Sequence, residues 1–148
     1  MLFRSPVKIK LMRDGVSVPK YATEGAAAFD LCASIDAPMI IPKGQRKLIP
    51  TGIAISLPAG YVAILCARSG LSTKKGITAA NGIGVIDSDY RGEIFFSSVN
   101  LSDEDYVITP GERVAQLMIM PVMCADFELC DDLDKTERGS GGFGSTGK

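Results

Sequence analysis

The apolar residues of this 148-residue chain fall in short runs punctuated by proline and glycine. Residues 7–12, Val-Lys-Ile-Lys-Leu-Met, alternate apolar and basic side chains, a pattern that predicts a half-buried strand. Residues 52–57 and 61–67 are apolar runs separated by Pro58-Ala59-Gly60, a turn signal. Residues 93–100 and 113–124 form a second such pair, parted by Thr109-Pro110-Gly111. Pro38, Pro42-Lys43-Gly44 and Pro50-Thr51-Gly52 add further turns at short intervals. A helical period is carried only briefly, and residues 70–75 predict one short helix. Many short strands at this spacing predict an all-β, jelly-roll-like sandwich or barrel with at most one short helix. Composition shifts only near the C-terminus, which divides the chain into a β domain at 1–136 and a glycine-rich arm at 137–148.

Composition narrows the classes of function. Hydrophobic residues make up 46% of the chain, enough to build a core. The net charge of −1 argues against broad binding to nucleic acid or to anionic membranes, which needs a basic face. Residues 1–10 lack the apolar stretch of a signal peptide, and no run approaches the ~20 residues that span a bilayer. The expectation is a soluble, cytoplasmic protein. There is no histidine, which excludes Ser-His-Asp and Cys-His catalysis and the usual histidine zinc sites. Cys32, Cys66, Cys124 and Cys130 form no Cys-x-x-Cys pair and are expected to be reduced and mostly buried.

The arm carries the densest chemistry. Residues 138–147 read Arg-Gly-Ser-Gly-Gly-Phe-Gly-Ser-Thr-Gly. Such a run is a solvated spacer or an anion-binding arm. Glycine backbones can wrap an anion, Arg138 can pair with phosphate oxygens in a bidentate fashion, and Phe143 offers a face on which a base stacks. The run fits part of a phosphate-binding loop but lacks its lysine.

Four other segments place polar residues where strands end. Asp30 is a lone acid among Ala28, Phe29 and Leu31, either a strand-end aspartate or a carboxylate holding water in a metal's outer shell. Arg68, Ser69 and Gly70 follow an apolar run, either as a surface arginine beside a helix-capping serine or as an anion site. Residues 81–93 begin with Asn81-Gly82, a hairpin signal, and continue through Asp87 and Tyr90. A hairpin tip could read a pyrimidine edge through its unpaired backbone N–H and C=O groups. Asp87 could act as a general base and Tyr90 could lie against a sugar; alternatively the segment is a turn rich in Asp and Gly. Along 111–117, alternation places Arg113, Ala115 and Leu117 on one strand face and Gln116 on the other, so a buried Gln116 needs a partner.

Taken in order, the five segments resemble those of the homotrimeric dUTPase family, deoxyuridine triphosphate nucleotidohydrolases. That family carries A-G-Y/F-D-L, P-R-S-G, G-V-I-D-x-D-Y-R-G, G-x-R-x-A-Q-L and R-G-x-x-G-F-G-S-T-G. The likeness runs from about residue 26 to the end and departs at Ala28, where the family has Gly, and at Ala67, where it has Pro. The resemblance implies a jelly-roll homotrimer with shared active sites, cleaving dUTP to dUMP and pyrophosphate. It assigns Asp87 as the base that activates water for attack at the α-phosphorus. Mg²⁺ is held mainly by the triphosphate and touched by Asp30 through water. Arg68, Ser69, Gly70 and Gln116 would hold phosphates. Asn81, Gly84, Val85 and Ile86 would read uracil, and Tyr90 would exclude a 2′-hydroxyl. Arg138, Gly144, Ser145 and Thr146 would clasp the γ-phosphate while Phe143 stacks on the base. Two alternatives remain: a dCTP deaminase of the same fold, which has a Glu where Asp87 stands, or a nucleotide-gated interaction protein.

Overall fold

The computed structural model describes residues 6–142. In chain order its elements are β1 (Lys8–Leu11), β2 (Phe29–Cys32), β3 (Met39–Ile41), β4 (Arg46–Pro50), β5 (Ile53–Ser56), β6 (Tyr61–Ala67), α1 (Ser69–Lys75), β7 (Ile77–Ala79), β8 (Gly84–Ile86), β9 (Phe95–Asn100), β10 (Tyr106–Ile108) and β11 (Arg113–Pro121). Every pairing among them is antiparallel. A four-stranded sheet runs β2-β11-β6-β8 and a three-stranded sheet runs β4-β9-β7. Two-stranded ladders, β1-β5 and β3-β10, complete the arrangement. This is the all-β, jelly-roll-like fold that the strand spacing predicts, with its one short helix.

The inward side chains form one apolar cluster. Leu31, Ile41, Ile49, Ile53, Phe96, Ile108, Val114 and Leu117 are fully or almost fully buried. They come from both larger sheets and from the ladders, so burial of this cluster ties the sheets together. The buried polar side chains are satisfied. Thr51 Oγ1 donates to the Ile94 carbonyl (2.6 Å) and Ser98 Oγ to the Lys47 carbonyl (2.8 Å). Asn100 Nδ2 donates to the carbonyls of Ile41 and Glu104 (2.9 and 2.8 Å).

Four local expectations are corrected. The strand expected over 113–124 stops at Pro121, and beyond it Met123, Phe127, Leu129 and Leu133 are almost fully exposed. Asn81-Gly82 turns the chain, with Gly82 at φ 74°, but it does not close a hairpin. β7 pairs with β9 and β8 with β6, so the turn passes the chain from one sheet to another. The N-cap of α1 is Arg68, without a side-chain capping bond, and Ser69 is the first helical residue. The cysteines are all free, as expected, but Cys32, Cys124 and Cys130 are exposed and Cys66 is only half-buried. The segment after β11 that bears Cys124 and Cys130 makes no strand among the described residues.

The turn into β11 is built around Glu112. Its carboxylate accepts from Tyr106 Oη (2.7 Å) and from the Thr109 amide (2.9 Å). Burial first, and then the hydrogen bond and negative charge of Glu112, push the Tyr106 phenol up to about 12. The native state thus holds this proton more tightly than the unfolded chain, whose phenol titrates near ~10. The resulting stability is fully present below about pH 10 and is lost as the pH rises through about 12. Tyr106→Phe should therefore lower stability by on the order of 1–2 kcal/mol at pH 8, and the gap should close near pH 12. Denaturant titrations of both proteins at pH 8, 10 and 12 check this; a gap independent of pH would contradict it.

Candidate active site

Two groups of functional side chains take shape on the four-stranded sheet. The first is centred on Asp30. In register, Asp30 of β2 stands beside Gln116 of β11, which stands beside Cys66 of β6. The carboxylate is shared by two guanidinium groups: Arg68 Nε donates to Oδ1 (2.9 Å) and Arg113 Nη1 to Oδ2 (3.1 Å). Arg68 Nη1 also donates to the Arg113 carbonyl (3.1 Å), and Gln116 Nε2 to the Ala67 carbonyl (3.0 Å). One acid beside two arginines leaves a local positive charge with several N–H donors, a setting for phosphate oxygens.

Arg113 belongs to this group because of a β-bulge. Simple alternation predicts that Arg113 and Gln116 face opposite ways. The register shifts between Arg113 and Ala115, so that Arg113 pairs with Cys32 while Gln116 pairs with Asp30. Asp30 and Cys32 share a strand face, so the bulge turns Arg113 onto the Asp30 side and leaves both Val114 and Ala115 buried. Sequence reasoning therefore missed Arg113 as a site residue. Cys32, beside the group, is exposed as a residue, yet its thiol is pushed up first by partial loss of solvent and then by the Asp30 charge, against the lowering influence of Arg113 and Arg68. It stays a thiol at neutral pH.

The second group is centred on Asp87. Gly84, Val85 and Ile86 form β8, which pairs with β6 on one side only and ends the sheet. Its other edge leaves backbone N–H and C=O groups free to read a ligand. Gly84 stands against the Leu65 side chain, with little space for a Cβ. Asp87 follows directly and is exposed. A cleft of about 220 Å³ is lined by Val85, Ile86, Asp87, Tyr90, Glu93, Ile94 and Phe95. Val85 and Tyr90 are 57% and 44% exposed, so the protomer leaves apolar faces uncovered at the cleft mouth. Tyr90 Oη donates to the Glu93 carbonyl (2.9 Å) and its ring packs on Gly92. Asn81 is exposed on the preceding turn. A larger hollow of about 500 Å³ follows residues Leu11 to Val16 and gathers none of these groups.

The two groups do not meet within one chain. Ile86 stands opposite Ala63, three residues along β6 from Cys66 in the Asp30 row, which is about 10 Å of strand. Three inter-strand steps separate β2 from β8, which adds roughly 14 Å across the sheet. Of the arm, residues 136–142 form a turn in which Arg138 Nε donates to the Gly141 carbonyl (2.8 Å). Phe143, Gly144, Ser145 and Thr146 lie outside the described residues. Among the described residues no three His, Cys, Asp or Glu side chains gather as a metal-binding cluster, and no helix is long and apolar enough to cross a membrane.

A family model described as dUTPase matches residues 14–147. The chain belongs to the dUTPase family. It is similar to the deoxyuridine 5'-triphosphate nucleotidohydrolase of Desulfitobacterium hafniense (strain DSM 10664 / DCB-2), at 52% identity over 144 residues covering 95% of each chain. It is also similar to that of Burkholderia mallei (strain SAVP1), at 50% identity over 138 residues covering 93% of this chain and 92% of the relative. Its fold is shared by a Staphylococcus bacteriophage 80alpha dUTPase mutant solved with dUpNHpp, at a TM-score of 0.90 and 24% identity, covering 98% of this chain and 100% of that one. The dUTPase match spans all five motifs, with Ala28 just before β2 and Ala67 closing the β6–β11 ladder opposite Ala115.

Proposed function

We infer that this protein hydrolyses dUTP to dUMP and pyrophosphate. Family membership across residues 14–147 carries the activity, and neither deamination of dCTP nor a purely interacting role is favoured by it. Asp87 is the general base. Its carboxylate stands exposed at the end of an edge strand, beside a cleft, where it can take a proton from a water aligned with the α-phosphorus. Arg68, Arg113 and Gln116, with the helix start at Ser69 and Gly70, hold the phosphates. Their N–H donors neutralise charge as the bridging P–O bond breaks.

Family membership also implies Mg²⁺. A metal carried on the triphosphate needs no protein cage. Both Asp30 oxygens already accept from arginines, so Asp30 suits a contact through water rather than a direct bond. The ion, when bound, neutralises phosphate charge and favours departure of pyrophosphate.

A homotrimer with shared sites is the reading that the geometry of one protomer supports. Asp87 and the Asp30–Arg68–Arg113 group lie about 17 Å apart on the strand spacings above, too far to serve one triphosphate. The cleft at Asp87 is also smaller than the roughly 300–1,000 Å³ of typical ligand sites. One copy therefore supplies Asp87, Tyr90 and the β8 edge, a second supplies the phosphate group, and residues 137–148 form an arm that closes over the assembled site. The segment after Pro121, with Met123, Phe127 and Leu129 exposed, provides apolar surface for contact between copies.

Substrate choice lies at the second group. The β8 edge pairs with uracil and, by close approach, rejects a 5-methyl group. The Tyr90 ring abuts the deoxyribose and leaves no room for a 2′-hydroxyl. Steady-state rates with dUTP, dCTP, dTTP and UTP in the presence of Mg²⁺ test the reading: only dUTP should turn over efficiently, releasing pyrophosphate. Ammonia from dCTP would overturn it. Tyr90→Ala should raise UTP turnover relative to dUTP by about 10- to 100-fold, and an unaltered ratio would reject the sugar contact.

A further inference from the structure

We propose that Arg13 and Glu93 form a clamp that positions Tyr90 and thereby sets discrimination against ribose. The proposal rests on the reading of Tyr90 as the sugar contact. Arg13 lies outside the five segments, and Glu93 closes the third without a role in the family reading. The Glu93 side chain is only 13% exposed and both of its oxygens are engaged. Arg13 Nε donates to Oε1 (3.0 Å) and Arg13 Nη2 to Oε2 (3.2 Å), the two-pronged geometry that fixes a carboxylate in orientation. Oε1 also accepts from the Gly52 amide (2.8 Å). The Glu93 backbone carbonyl, in turn, receives the Tyr90 hydroxyl (2.9 Å).

The clamp closes a ring of contacts. The Gly52 carbonyl accepts from the Met12 amide (2.7 Å), so the residue before Arg13 and the carboxylate that Arg13 grips are held to the same glycine. Gly52 must be glycine there: its φ is 72°, and a Cβ would collide with Val16 and Ser34. Ile94 is stitched to the same stretch, donating to the Ile53 carbonyl (2.9 Å) and accepting from the Thr51 amide (3.2 Å). The 87–93 loop is thus anchored at its far end, and Tyr90 is fastened to that anchor. At the near end Arg91 Nη1 donates to the carbonyls of Ser88 and Tyr90 (2.7 and 2.8 Å) and the Tyr90 amide to the Asp87 carbonyl (3.2 Å), ties that stay within the loop. A sugar differing by one oxygen is rejected only if the ring facing it cannot retreat. The clamp supplies that resistance, while Asp87 at the other end of the loop is tied to β8 instead.

The test is kinetic. Values of kcat and KM for dUTP and UTP are measured for the unaltered protein, Arg13→Ala, Glu93→Gln, Tyr90→Phe, Tyr90→Ala and the double variant Arg13→Ala with Tyr90→Ala. Arg13 is 41% exposed, Gln at 93 keeps an acceptor for the Gly52 amide, and melting curves of each variant confirm that the protein compared is folded. Arg13→Ala, Glu93→Gln and Tyr90→Phe should each lower the dUTP-to-UTP ratio of kcat/KM by about fivefold. The change should lie in KM, with kcat for dUTP within about twofold of the unaltered value for Arg13→Ala. In the Tyr90→Ala background, Arg13→Ala should have no further effect, because both act through one ring. An unchanged ratio in Arg13→Ala alongside a lowered ratio in Tyr90→Ala would overturn the clamp alone. An equal loss in both backgrounds would place the action of Arg13 elsewhere and would also overturn it. An unchanged ratio in Tyr90→Ala would overturn the sugar contact and the clamp together.

Discussion

Asp87→Asn should lower kcat for dUTP by roughly 10²–10⁴-fold, the contribution of a positioned general base. Binding of a non-hydrolysable dUTP analogue should stay within a few-fold of that of the unaltered protein. The amide has the shape of the acid but cannot take a proton from water. Asp87 is exposed, one residue beyond β8, so no buried charge is lost and the fold is undisturbed. In the proposed reading, uracil and sugar contacts lie on the β8 edge and at Tyr90, and the phosphate donors come from Arg68, Arg113 and Gln116. None of these depends on Asp87. Turnover measured by pyrophosphate release and affinity measured by calorimetry separate the two quantities. Undiminished turnover would remove Asp87 from the base role, and lost affinity would make it a binding residue instead.

Truncation after Glu137 should leave a folded assembly whose activity falls by roughly 10- to 100-fold, equivalent to about 1–3 kcal/mol of lost contact from one base stack and an arginine–phosphate pair. Residues 136–142 are joined to one another rather than to the sheets. The Gly139 amide donates to Thr136 Oγ1 (3.1 Å), the Gly141 amide to the Arg138 carbonyl (3.1 Å), and Arg138 Nε to the Gly141 carbonyl. Breaking this self-contained turn frees the Arg138 guanidinium for an anion. Ordering each arm residue costs about 1–2 kcal/mol of backbone entropy. Closure should therefore need base and γ-phosphate together, and the deficit should be larger for dUTP than for dUDP. Melting curves together with rates on both nucleotides check this. Full activity without the arm would reduce it to a spacer.

Much of the architecture was legible because the turn chemistry is local. Pro58-Ala59-Gly60 separates β5 from β6, and β6 occupies the expected residues 61–67. What escaped the sequence depends on partners. Asn81-Gly82 carries a hairpin signal, but the strands on either side pair with β9 and β6, whose positions no local pattern reveals. Arg113 was assigned to the wrong face because a one-residue bulge reverses alternation, and its presence beside Asp30 emerges only from the register. Glu93 was read as the start of a strand, whereas its contacts with Arg13 and Gly52 span 80 and 41 residues. Asp87, Tyr90 and Asp30 are candidates that their motifs single out, yet the distance between the two groups is a property of the sheet alone.

That distance makes the proposed sharing of the site directly testable by complementation. Asp87→Asn and Arg68→Ala proteins, each nearly inactive alone, are unfolded, mixed in equal amounts and refolded together. If Asp87 of one copy serves the Arg68 group of another, random assembly pairs the two intact elements in about a quarter of sites, and the mixture should recover about a quarter of wild-type turnover. A mixture no more active than the sum of its separately refolded components would contradict the shared site.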